Sequence, residues 1–500
     1  MDCDAASTTY DVVVVGAGNA ALCAALSARE SAERVLVLER APEDESGGNS
    51  RYTAGLMRIA YAGVDDLKKV MPELSDAEIQ RTDFGTYTEE QFLDDMGRVT
   101  EYRCDPDLTE LLVKRSLATV EWMRKRGVRF TAAWGRQAFN INGRFKFWGG
   151  LTVEAVGGGP GLVESLTGIA RKSGIEVWFQ ARGLDLIMND DGVQGIRIKR
   201  AGKTMELKTR AVVLAAGGFQ SDPEQRTRYL GPGWELAKVR GTRFNTGDGI
   251  RMALAAGAQS AGNWSGSHAV AWERNAPEFG DLAVGDQFQK HSYPWGIYIN
   301  AEGRRFVDEG ADFRNYTYAK YGRVILQQPG QFAWQIFDAK VKAQLRDEYR
   351  IKQVTRRTGN TLEELCANLE DTDGKAALQE IREYNAAVQT DIPFNPNVKD
   401  GRGTKNLKVN KSNWANTLDT PPYEAYAVTC GVTFSFGGLK INTDAQVMSA
   451  DGGPIPGLYA AGELVGGIFW FNYPGGTGLT NGSVFGRIAG AGAAKAAARR

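Results

Sequence analysis

A glycine-rich turn near the start of the chain has the residue types that hold a dinucleotide. Gly16-Ala17-Gly18-Asn19-Ala20-Ala21 lies between an apolar run, Asp11 to Val15, and an Ala- and Leu-rich stretch, Asn19 to Ala28. In such a strand–turn–helix unit the first glycine permits the tight turn and the second lets backbone approach a pyrophosphate. The helix amino terminus then supplies N–H groups and a positive dipole end. The residues of this turn that are predicted to bind the dinucleotide are Gly16, Gly18, Asn19 and Ala20.

An acidic residue at the end of the next apolar run completes this βαβ unit. Glu39, followed by Arg40, ends the run Arg34 to Arg40, about twenty residues after the glycine turn. An acidic side chain at this place accepts hydrogen bonds from the ribose hydroxyls of adenosine. The sequence therefore predicts an adenosine site at Glu39 and Arg40.

Further glycine-rich segments follow this unit along the chain, and they distinguish between FAD and NAD as the bound dinucleotide. They are Gly47-Gly48-Asn49-Ser50, Ala215-Ala216-Gly217-Gly218 after the apolar run Ala211 to Ala215, Gly457 to Glu463, and Gly475-Gly476-Thr477-Gly478-Leu479. Their arrangement resembles the fumarate reductase/succinate dehydrogenase flavoprotein family over nearly the whole chain. The resemblance implies FAD rather than NAD as the cofactor.

The same resemblance implies where the rest of FAD is bound. The ribityl chain would be held by Glu463, and the glycine-rich turn after it would point a helix amino terminus at the flavin pyrimidine, where it stabilises an anionic reduced flavin. The implied contacts are the loop Gly48, Asn49 and Ser50, the turn Ala216 and Gly217, the acid Glu463, and the helix start Gly478 and Leu479.

Several family members attach FAD covalently through a histidine just after this loop. Here Arg51-Tyr52-Thr53 occupies that region, and the chain has only His268 and His291. We therefore expect FAD to be bound without a covalent link. Gly157 to Gly161 precedes a helix, but we expect no buried strand to lead into it, so a separate NAD(P)H domain is not predicted. Without such a domain the protein requires an external electron acceptor, which is either soluble or membrane-associated.

Candidate catalytic residues follow from the resemblance to soluble fumarate reductases. In these enzymes an arginine after an Arg-Phe-x-x-Glu segment donates a proton, and two histidines and a second arginine hold the dicarboxylate. Arg305 to Glu309 matches that segment, and Arg314 falls one residue later than the family spacing. His268 matches the first histidine, and His291 is the other histidine of this chain.

Two of the dicarboxylate-binding positions differ from the family pattern. The second histidine falls near Thr433-Phe434, and the second arginine falls on Tyr473. A tyrosine there resembles the 3-ketosteroid dehydrogenases, where it hydrogen-bonds a ketone. The closer resemblance is to tricarballylate dehydrogenases, on Gly47 to Arg51, Asp308 to Tyr318 and Asn472 to Gly476. Fumarate itself is therefore not the expected substrate.

The resemblance to these two desaturating families implies the reaction. A proton leaves the carbon next to a carboxylate or ketone while a hydride leaves the adjacent carbon for the flavin, and a positioned acid stabilises the enolate-like charge. The predicted catalytic residues are Arg314, Tyr473, His268 and His291. An enoate reductase fed by an external electron carrier and a non-catalytic FAD-bound assembly protein are the alternatives.

Two aromatic segments bear on the substrate. One contains Trp134, Phe139, Phe147 and Trp148, and the other contains Phe469, Trp470, Phe471 and Tyr473. If they line the pocket, a ring or ketone fits better than a tricarboxylate. Arg136, Arg144 and Lys146, interleaved with the first segment, would instead suit carboxylates. Core packing and solvated charge are the other interpretations of these residues.

Length and composition set the remaining expectations. A chain of 500 residues is too long for a single hydrophobic core, so two domains are expected. The change in composition along the chain predicts an α/β FAD-binding domain in two segments, 1–263 and 434–500. An inserted α+β substrate domain, 264–433, separates these segments and contains a charged helical stretch from Leu362 to Val388. Equal numbers of acidic and basic residues, 60 each, argue against nucleic acid as a partner.

The cysteines and the amino terminus indicate the compartment. The five cysteines form no Cys-x-x-Cys pair, so no metal site is predicted. Met1-Asp2-Cys3-Asp4 lacks the features of an export signal, and we expect a cytoplasmic protein.

Overall fold

A computed structural model describes residues 9–141, 143–147 and 149–499. The helices are α1 (Asn19–Ala28), α2 (Val64–Val70), α3 (Asp76–Gln80), α4 (Glu89–Val99), α5 (Pro106–Lys125), α6 (Trp134–Gln137), α7 (Gly158–Lys172), α8 (Pro223–Gln225), α9 (Asp248–Ala255), α10 (Tyr318–Leu326), α11 (Leu362–Ala367), α12 (Gly374–Ala387) and α13 (Thr477–Ala498).

The strands alternate with these helices. They are β1 (Thr9–Val15), β2 (Val35–Leu38), β3 (Leu56–Met57), β4 (Thr82–Asp83), β5 (Phe130–Ala132), β6 (Ala138–Ile141), β7 (Arg144–Phe147), β8 (Val153–Ala155), β9 (Glu176–Trp178), β10 (Ala181–Asn189), β11 (Gly192–Arg200), β12 (Lys203–Leu214), β13 (Lys238–Val239), β14 (Ser260–Glu273), β15 (Ile297–Asn300), β16 (Phe332–Phe337), β17 (Arg356–Gly359), β18 (Tyr423–Leu439), β19 (Gln446–Met448) and β20 (Pro454–Ala460).

The chain divides into two compact units. The first comprises residues 1–232, 241–267 and 434–500, and the second comprises 233–240 and 268–433. The domain boundaries predicted at 263/264 and 433/434 stay a prediction. No helix in the described residues is both long and apolar enough to cross a membrane.

The first unit is organised by one large sheet with strand order β10-β11-β12-β1-β2-β9, in which β20 pairs with β12 and β19 pairs with β20. The valines of β1 are almost completely buried because the strand lies between two parallel neighbours, with Val12 opposite Val35 on β2 and Ala211 on β12. Since β1, β2, β12 and β20 run parallel, their carboxyl ends open at the same edge of the sheet.

Helices α1 and α13 pack closely through small residues. A Cβ on Gly486 would overlap the Ala20 carbonyl oxygen, and one on Gly490 would overlap that of Ala24. The glycines, four residues apart, lie on one face of α13 and bring the two backbones together. The predicted α1, from Asn19 to Ala28, has the same bounds in the structure.

One expectation for the first unit is wrong. A short strand, β8, does lead into the Gly157 to Gly161 turn before α7. It belongs to a small antiparallel sheet, β3-β8-β5, rather than to the parallel sheet, so the turn lacks the context of a dinucleotide site.

The second unit contains the sheet β13-β18-β16-β15, with β14 and β17 also paired to β18. Its core includes Ile299, Trp334 and Ile381. The charged helical stretch predicted from Leu362 to Val388 forms two helices, α11 and α12. The break occurs where Asp371 has a left-handed backbone and the Asp373 carboxylate accepts hydrogen bonds from the first amides of α12.

Candidate active site

The loops after β1, β2, β12 and β20 line one cleft in the first unit, which we call the FAD cleft. It brings together most of the residues predicted to bind the cofactor: Gly16, Gly18, Asn19, Ala20, Glu39, Arg40, Gly48, Asn49, Ser50, Ala216, Gly217 and Glu463. Gly478 and Leu479 are not part of its lining. They lie in the first turn of α13, where the Leu479 carbonyl oxygen accepts a hydrogen bond of 2.8 Å from Asn19 Nδ2.

The two glycines of the motif, Gly16 and Gly18, have different roles in this cleft. Gly16 has φ +109°, and a Cβ there would overlap the Ala215 carbonyl oxygen, so only glycine lets the ends of β1 and β12 approach. Gly18 has an ordinary φ of −78°, and its Cβ would meet nothing closer than 3.5 Å. A side chain at Gly18 is therefore compatible with the fold but would occupy space in the cleft.

The adenosine end of the cleft is built around Glu39. The amides of Ala17 and Ala41 donate to its two carboxylate oxygens at 2.9 and 2.7 Å. Burial raises the pKa of Glu39 above its ordinary value, and these N–H donors oppose the shift. Each oxygen retains capacity for another hydrogen bond, as recognition of ribose hydroxyls requires.

Arg40 is held by a carboxylate that two other arginines also contact. Arg40 Nη1 lies 3.0 Å from Asp248 and also donates to the Thr246 hydroxyl. Arg182 binds the same carboxylate with two hydrogen bonds of 2.8 Å, and Arg251 Nη2 lies 3.1 Å from it. Asp248 therefore organises the cationic side of the adenosine end.

The opposite end of the cleft contains the Glu463 carboxyl. It accepts hydrogen bonds from the Ser435 amide at 3.1 Å and from the Gln220 and Asn245 side-chain amides at 3.3 and 3.4 Å. Desolvation raises its pKa to about 8. A Cβ on Gly218 would overlap Glu463 Oε1, so glycine allows this approach.

The polar atoms beside Glu463 fit a hydroxyl-rich ligand. Gln220 Oε1 and Ser435 Oγ are buried and have no hydrogen-bond partner within the described part of the chain. Buried polar atoms are normally satisfied, so their presence at one end of a nucleotide cleft is consistent with hydrogen bonding to the ribityl chain of FAD.

Tyr473 lies in a group of four neighbouring rings, which we call the aromatic cluster. It meets Phe434 at 5.2 Å and Phe469 at 5.3 Å between centroids, both edge to face, and Phe436 contacts the two phenylalanines. A Cβ on Gly478 would lie 3.7 Å from the Tyr473 ring. The aromatic cluster therefore adjoins the first turn of α13.

The first aromatic segment packs mainly on itself. Trp134 contacts Phe145 and Phe147 on β7 at 5.1 and 5.5 Å, and Phe84 at 5.7 Å. Trp148 lies outside the described residues, and Phe139 is on β6.

The basic residues of this segment are largely on the surface. Arg144 and Lys146 are exposed, Arg136 is partly exposed, and Lys146 Nζ lies 3.7 Å from Asp83. These features favour core packing and solvated charge for this segment.

In the second unit, both histidines lie against one tyrosine. His268 on β14 and His291 meet the Tyr318 ring edge to face, at 5.1 and 4.9 Å between centroids. Both histidines are buried, and burial lowers the pKa of each well below 6.5, helped by the guanidiniums of Arg314 and Arg240 for His291 and of Arg240 for His268. They are therefore neutral at pH 7.

Arg314 belongs to the same group, which we call the Tyr318 cluster: His268, His291, Arg314 and Tyr318. Desolvation, with help from the nearby Arg346, lowers the pKa of Arg314 to about 9, while Glu348, Tyr293 and Tyr318 oppose the shift. A guanidinium with a pKa closer to neutral exchanges its proton more readily.

A buried ion pair fixes the loop that leads to Arg314. Arg305 Nη2 and Glu309 Oε2 are 2.6 Å apart, and Glu309 also accepts from the Tyr298 amide at 2.8 Å. At the next residue of the chain, the Gly310 carbonyl oxygen accepts a hydrogen bond of 2.8 Å from Asn413 Nδ2. The matched Arg-Phe-x-x-Glu segment thus has a structural role of its own.

Sequence reasoning missed several residues at both places. Arg182, Phe244, Asn245 and Asp248 line the FAD cleft. The turn residues Asn245 to Gly247, just before α9, were a usable signal. Tyr318, Arg240, Arg346 and Glu348 surround the histidines or Arg314, and no local pattern marks them as neighbours.

Comparisons with known proteins show the family to which the chain belongs. The model of the FAD binding domain family matches residues 11–479. The cytochrome-type fumarate reductase of Shewanella frigidimarina is 31% identical over 491 residues, covering 97% of this chain and 77% of that protein. The 4-oxocyclohexanecarboxylate 2-dehydrogenase of Sinomonas cyclohexanicum is 27% identical over 539 residues, covering 94% and 90%.

A solved structure extends the agreement to the fold. The open conformation of a flavocytochrome c3 fumarate reductase superimposes with a TM-score of 0.72 at 27% identity, covering 98% of this chain and 79% of that one. The α/β fold and the FAD cofactor predicted from the sequence are confirmed.

Proposed function

Because the chain belongs to the FAD binding domain family and is an FAD-dependent oxidoreductase acting on carbon–carbon bonds, we propose that it desaturates a small substrate. The bond oxidised lies next to a carboxylate or ketone, as in a tricarballylate-like acid or a cyclic ketone or ketoacid. FAD, when bound, supplies the hydride acceptor.

The observation that carries this proposal is the setting of Tyr473. At the places where the resemblance to fumarate reductases implies an arginine and a histidine for a carboxylate, this chain has Tyr473 and Phe434, in edge-to-face contact. The phenol hydroxyl of a tyrosine donates a hydrogen bond, but it carries no positive charge and so cannot form an ion pair with a second carboxylate of the substrate. The aromatic cluster therefore favours a substrate that presents a ketone and an apolar or ring surface there.

The remaining roles follow from the chemistry of the Tyr318 cluster and of the Tyr473 hydroxyl. Arg314, with its pKa lowered to about 9, transfers the proton or holds the carboxylate. His268 and His291, both neutral, donate ring N–H groups to a substrate oxygen without adding charge. Tyr473 donates to the oxygen that gains negative charge.

An enoate reductase fed by an external electron carrier is the second candidate function. The 31% identity to a fumarate reductase favours it. The third alternative, a non-catalytic assembly protein, has no support, since the relatives matched over nearly the whole chain are oxidoreductases. For either direction of the reaction we propose that a small external carrier exchanges electrons with the flavin. We also propose that FAD is bound without a covalent link and that the protein is cytoplasmic.

The deciding experiment is anaerobic mixing in both directions. Oxidised enzyme is mixed with a panel of saturated acids and cyclic ketoacids, and pre-reduced enzyme with the matching unsaturated compounds, while flavin absorbance is followed. Bleaching by a saturated compound supports desaturation. Reoxidation only by unsaturated compounds, with no bleaching by any saturated partner at the same concentration, would establish the reductase instead.

The state of the flavin has its own test. Acid precipitation of the protein should leave all of the yellow colour in the supernatant. Colour that stays with the washed pellet would show a covalent link.

A further inference from the structure

The segment before Tyr473 contains a tight turn with an unusual backbone. Phe471, at its centre, has φ +60°, and the Asn472 amide donates to the Trp470 carbonyl oxygen at 2.5 Å. A turn closed between residues two apart is a γ-turn, and the form with a positive central φ is rare and strained. A left-handed backbone is an outlier for a residue as bulky as phenylalanine.

One side chain holds this turn in place. Asn263, on β14, accepts a hydrogen bond of 3.1 Å from the Phe471 amide through Oδ1 and donates one of 3.2 Å to Ser265 Oγ through Nδ2. Asn263 is buried, and a Cβ on Gly266 would overlap its Oδ1 atom, so glycine leaves the space that the side-chain amide occupies. The acceptor for the strained residue is therefore itself fixed by its surroundings.

The backbone around Asn263 lies against the start of the segment that carries the turn. A Cβ on Gly466 would overlap the Ala261 carbonyl oxygen, and one on Gly262 would come within 2.5 Å of the Gly467 amide nitrogen. The beginning of β14 and this segment both belong to the first unit. Backbone strain persists only where the surrounding structure over-determines the conformation, and it concentrates at functional sites.

The path of the chain does not by itself require a strained residue here. Glycine accepts a positive φ without cost, and the chain uses it nearby, at Gly467 with φ +96° and at Gly476 with φ +84°. Glycine would also leave the turn free to adopt other conformations, whereas a phenylalanine whose amide is held by Asn263 is restricted to fewer. Tyr473 follows two residues later, with its ring buried in the aromatic cluster.

We propose that Asn263 is a positioning residue that holds the strained turn at Phe471 and thereby fixes the direction of the Tyr473 hydroxyl. Such preorganisation matters because misplacing a catalytic group by about 1 Å costs up to about 10²-fold in rate. This inference rests on the proposed function for the role of the hydroxyl, and it assigns to the turn the orientation that this role requires.

The first test uses the FAD-bound protein without substrate. Fluorotyrosine in place of Tyr473 gives one fluorine NMR resonance. Asn263→Ala should shift or broaden this resonance because the turn loses its acceptor, and Asn263→Asp, which keeps an acceptor, should resemble wild type. Asn442→Ala is the matched control, because Asn442 accepts from the Asp444 and Gln446 amides in another turn of the same unit. An unchanged resonance in Asn263→Ala, or equal changes in the Ala and Asp variants, would overturn the proposal.

The second test measures flavin reduction by substrate and separates this proposal from the proposed function. Asn263→Ala should be about ten- to a hundredfold slower than wild type, but it should have no further effect when combined with Tyr473→Phe. Equal slowing in both backgrounds would make Asn263 a general structural residue. A Tyr473→Phe variant that reacts like wild type would overturn the proposed role of the hydroxyl, whereas the fluorine resonance still reports on the turn.

Two variants of Phe471 keep the proposal testable if Asn263→Ala does not fold. Phe471→Gly and Phe471→Ala both remove the ring, but only alanine keeps the strain. The glycine variant should therefore melt about 1–2 °C higher than the alanine variant, and its fluorotyrosine resonance should be broader than that of wild type because the turn is freer. A glycine variant that melts no higher, or whose resonance matches that of wild type, would overturn the proposal.

Discussion

The FAD cleft and the Tyr318 cluster are built in different ways. The cleft is formed by loop backbone at the ends of parallel strands, with glycines where chains approach and N–H groups directed at Glu39 and Glu463. The Tyr318 cluster is formed by side chains from separate segments of the second unit, with two buried, neutral histidines against one ring.

The two kinds of site respond differently to substitution. A backbone-built site tolerates most side-chain replacements but not a new Cβ in its open space. A side-chain-built site is sensitive even to conservative replacement, because charge, shape and proton affinity all reside in the replaced group. Substitutions at these places test this contrast.

Gly18→Val should abolish FAD binding while the protein still folds. The backbone at Gly18 accepts any residue, but the side chain would fill the cleft where a pyrophosphate must approach. The measurement is flavin absorbance per protein after purification, with circular dichroism to verify folding. Gly168→Val is the control, because a Cβ at Gly168 on α7 meets open space. A yellow, FAD-replete Gly18→Val protein would contradict the assignment of the cleft.

Arg314→Lys should slow flavin reduction by substrate about 10²- to 10⁴-fold, the usual contribution of a positioned proton-transfer group. Lysine keeps a positive charge but loses the planar fork. Stopped-flow traces of flavin bleaching measure the rate. Arg304→Lys, on an exposed arginine of the same loop, should react like wild type. A nearly normal rate for Arg314→Lys would remove this arginine from the mechanism.

Tyr473→Phe should keep FAD and the ring packing but slow flavin reduction about 10²- to 10³-fold, the typical cost of losing one donor to a developing oxyanion. Tyr102→Phe, on a tyrosine 81% exposed, serves as the control for removing a phenol hydroxyl. If both variants reduce their flavin equally fast, Tyr473 is a packing residue only.

Glu463→Gln tests the ionisable side chain within the backbone-built cleft. In the FAD-free protein, desolvation raises the pKa of Glu463 from about 4.5 to about 8. The contribution of this group to stability is therefore full below about pH 4.5 and is lost as the pH rises through 8, with a slope of at most about 1.4 kcal/mol per pH unit.

Glutamine should remove that slope. Urea unfolding of both FAD-free proteins across this pH range gives the difference in unfolding free energy, which should change in favour of the variant as the pH rises. A difference that is constant with pH would mean that the Glu463 carboxyl has no raised pKa in the folded protein.

Much of the FAD cleft was predictable because its determinants are local. The spacing of Gly16 and Gly18, the β-branched run before them and the acid at Glu39 are properties of short segments, and the conformations they require depend on neighbouring residues. The helix α5 is similar, since Asp105 and Gly127 mark its ends within the sequence itself.

Local patterns in the chain were enough to specify the α/β class, the dinucleotide turn and, through the family resemblance, the FAD cofactor. The packing of whole elements placed Asp248 against Arg40 and Arg182, and Tyr318 against both histidines. Turns and helix ends depend on backbone preferences that each residue carries with it. Contacts between residues tens to hundreds of positions apart depend on how whole elements pack, which no local pattern records.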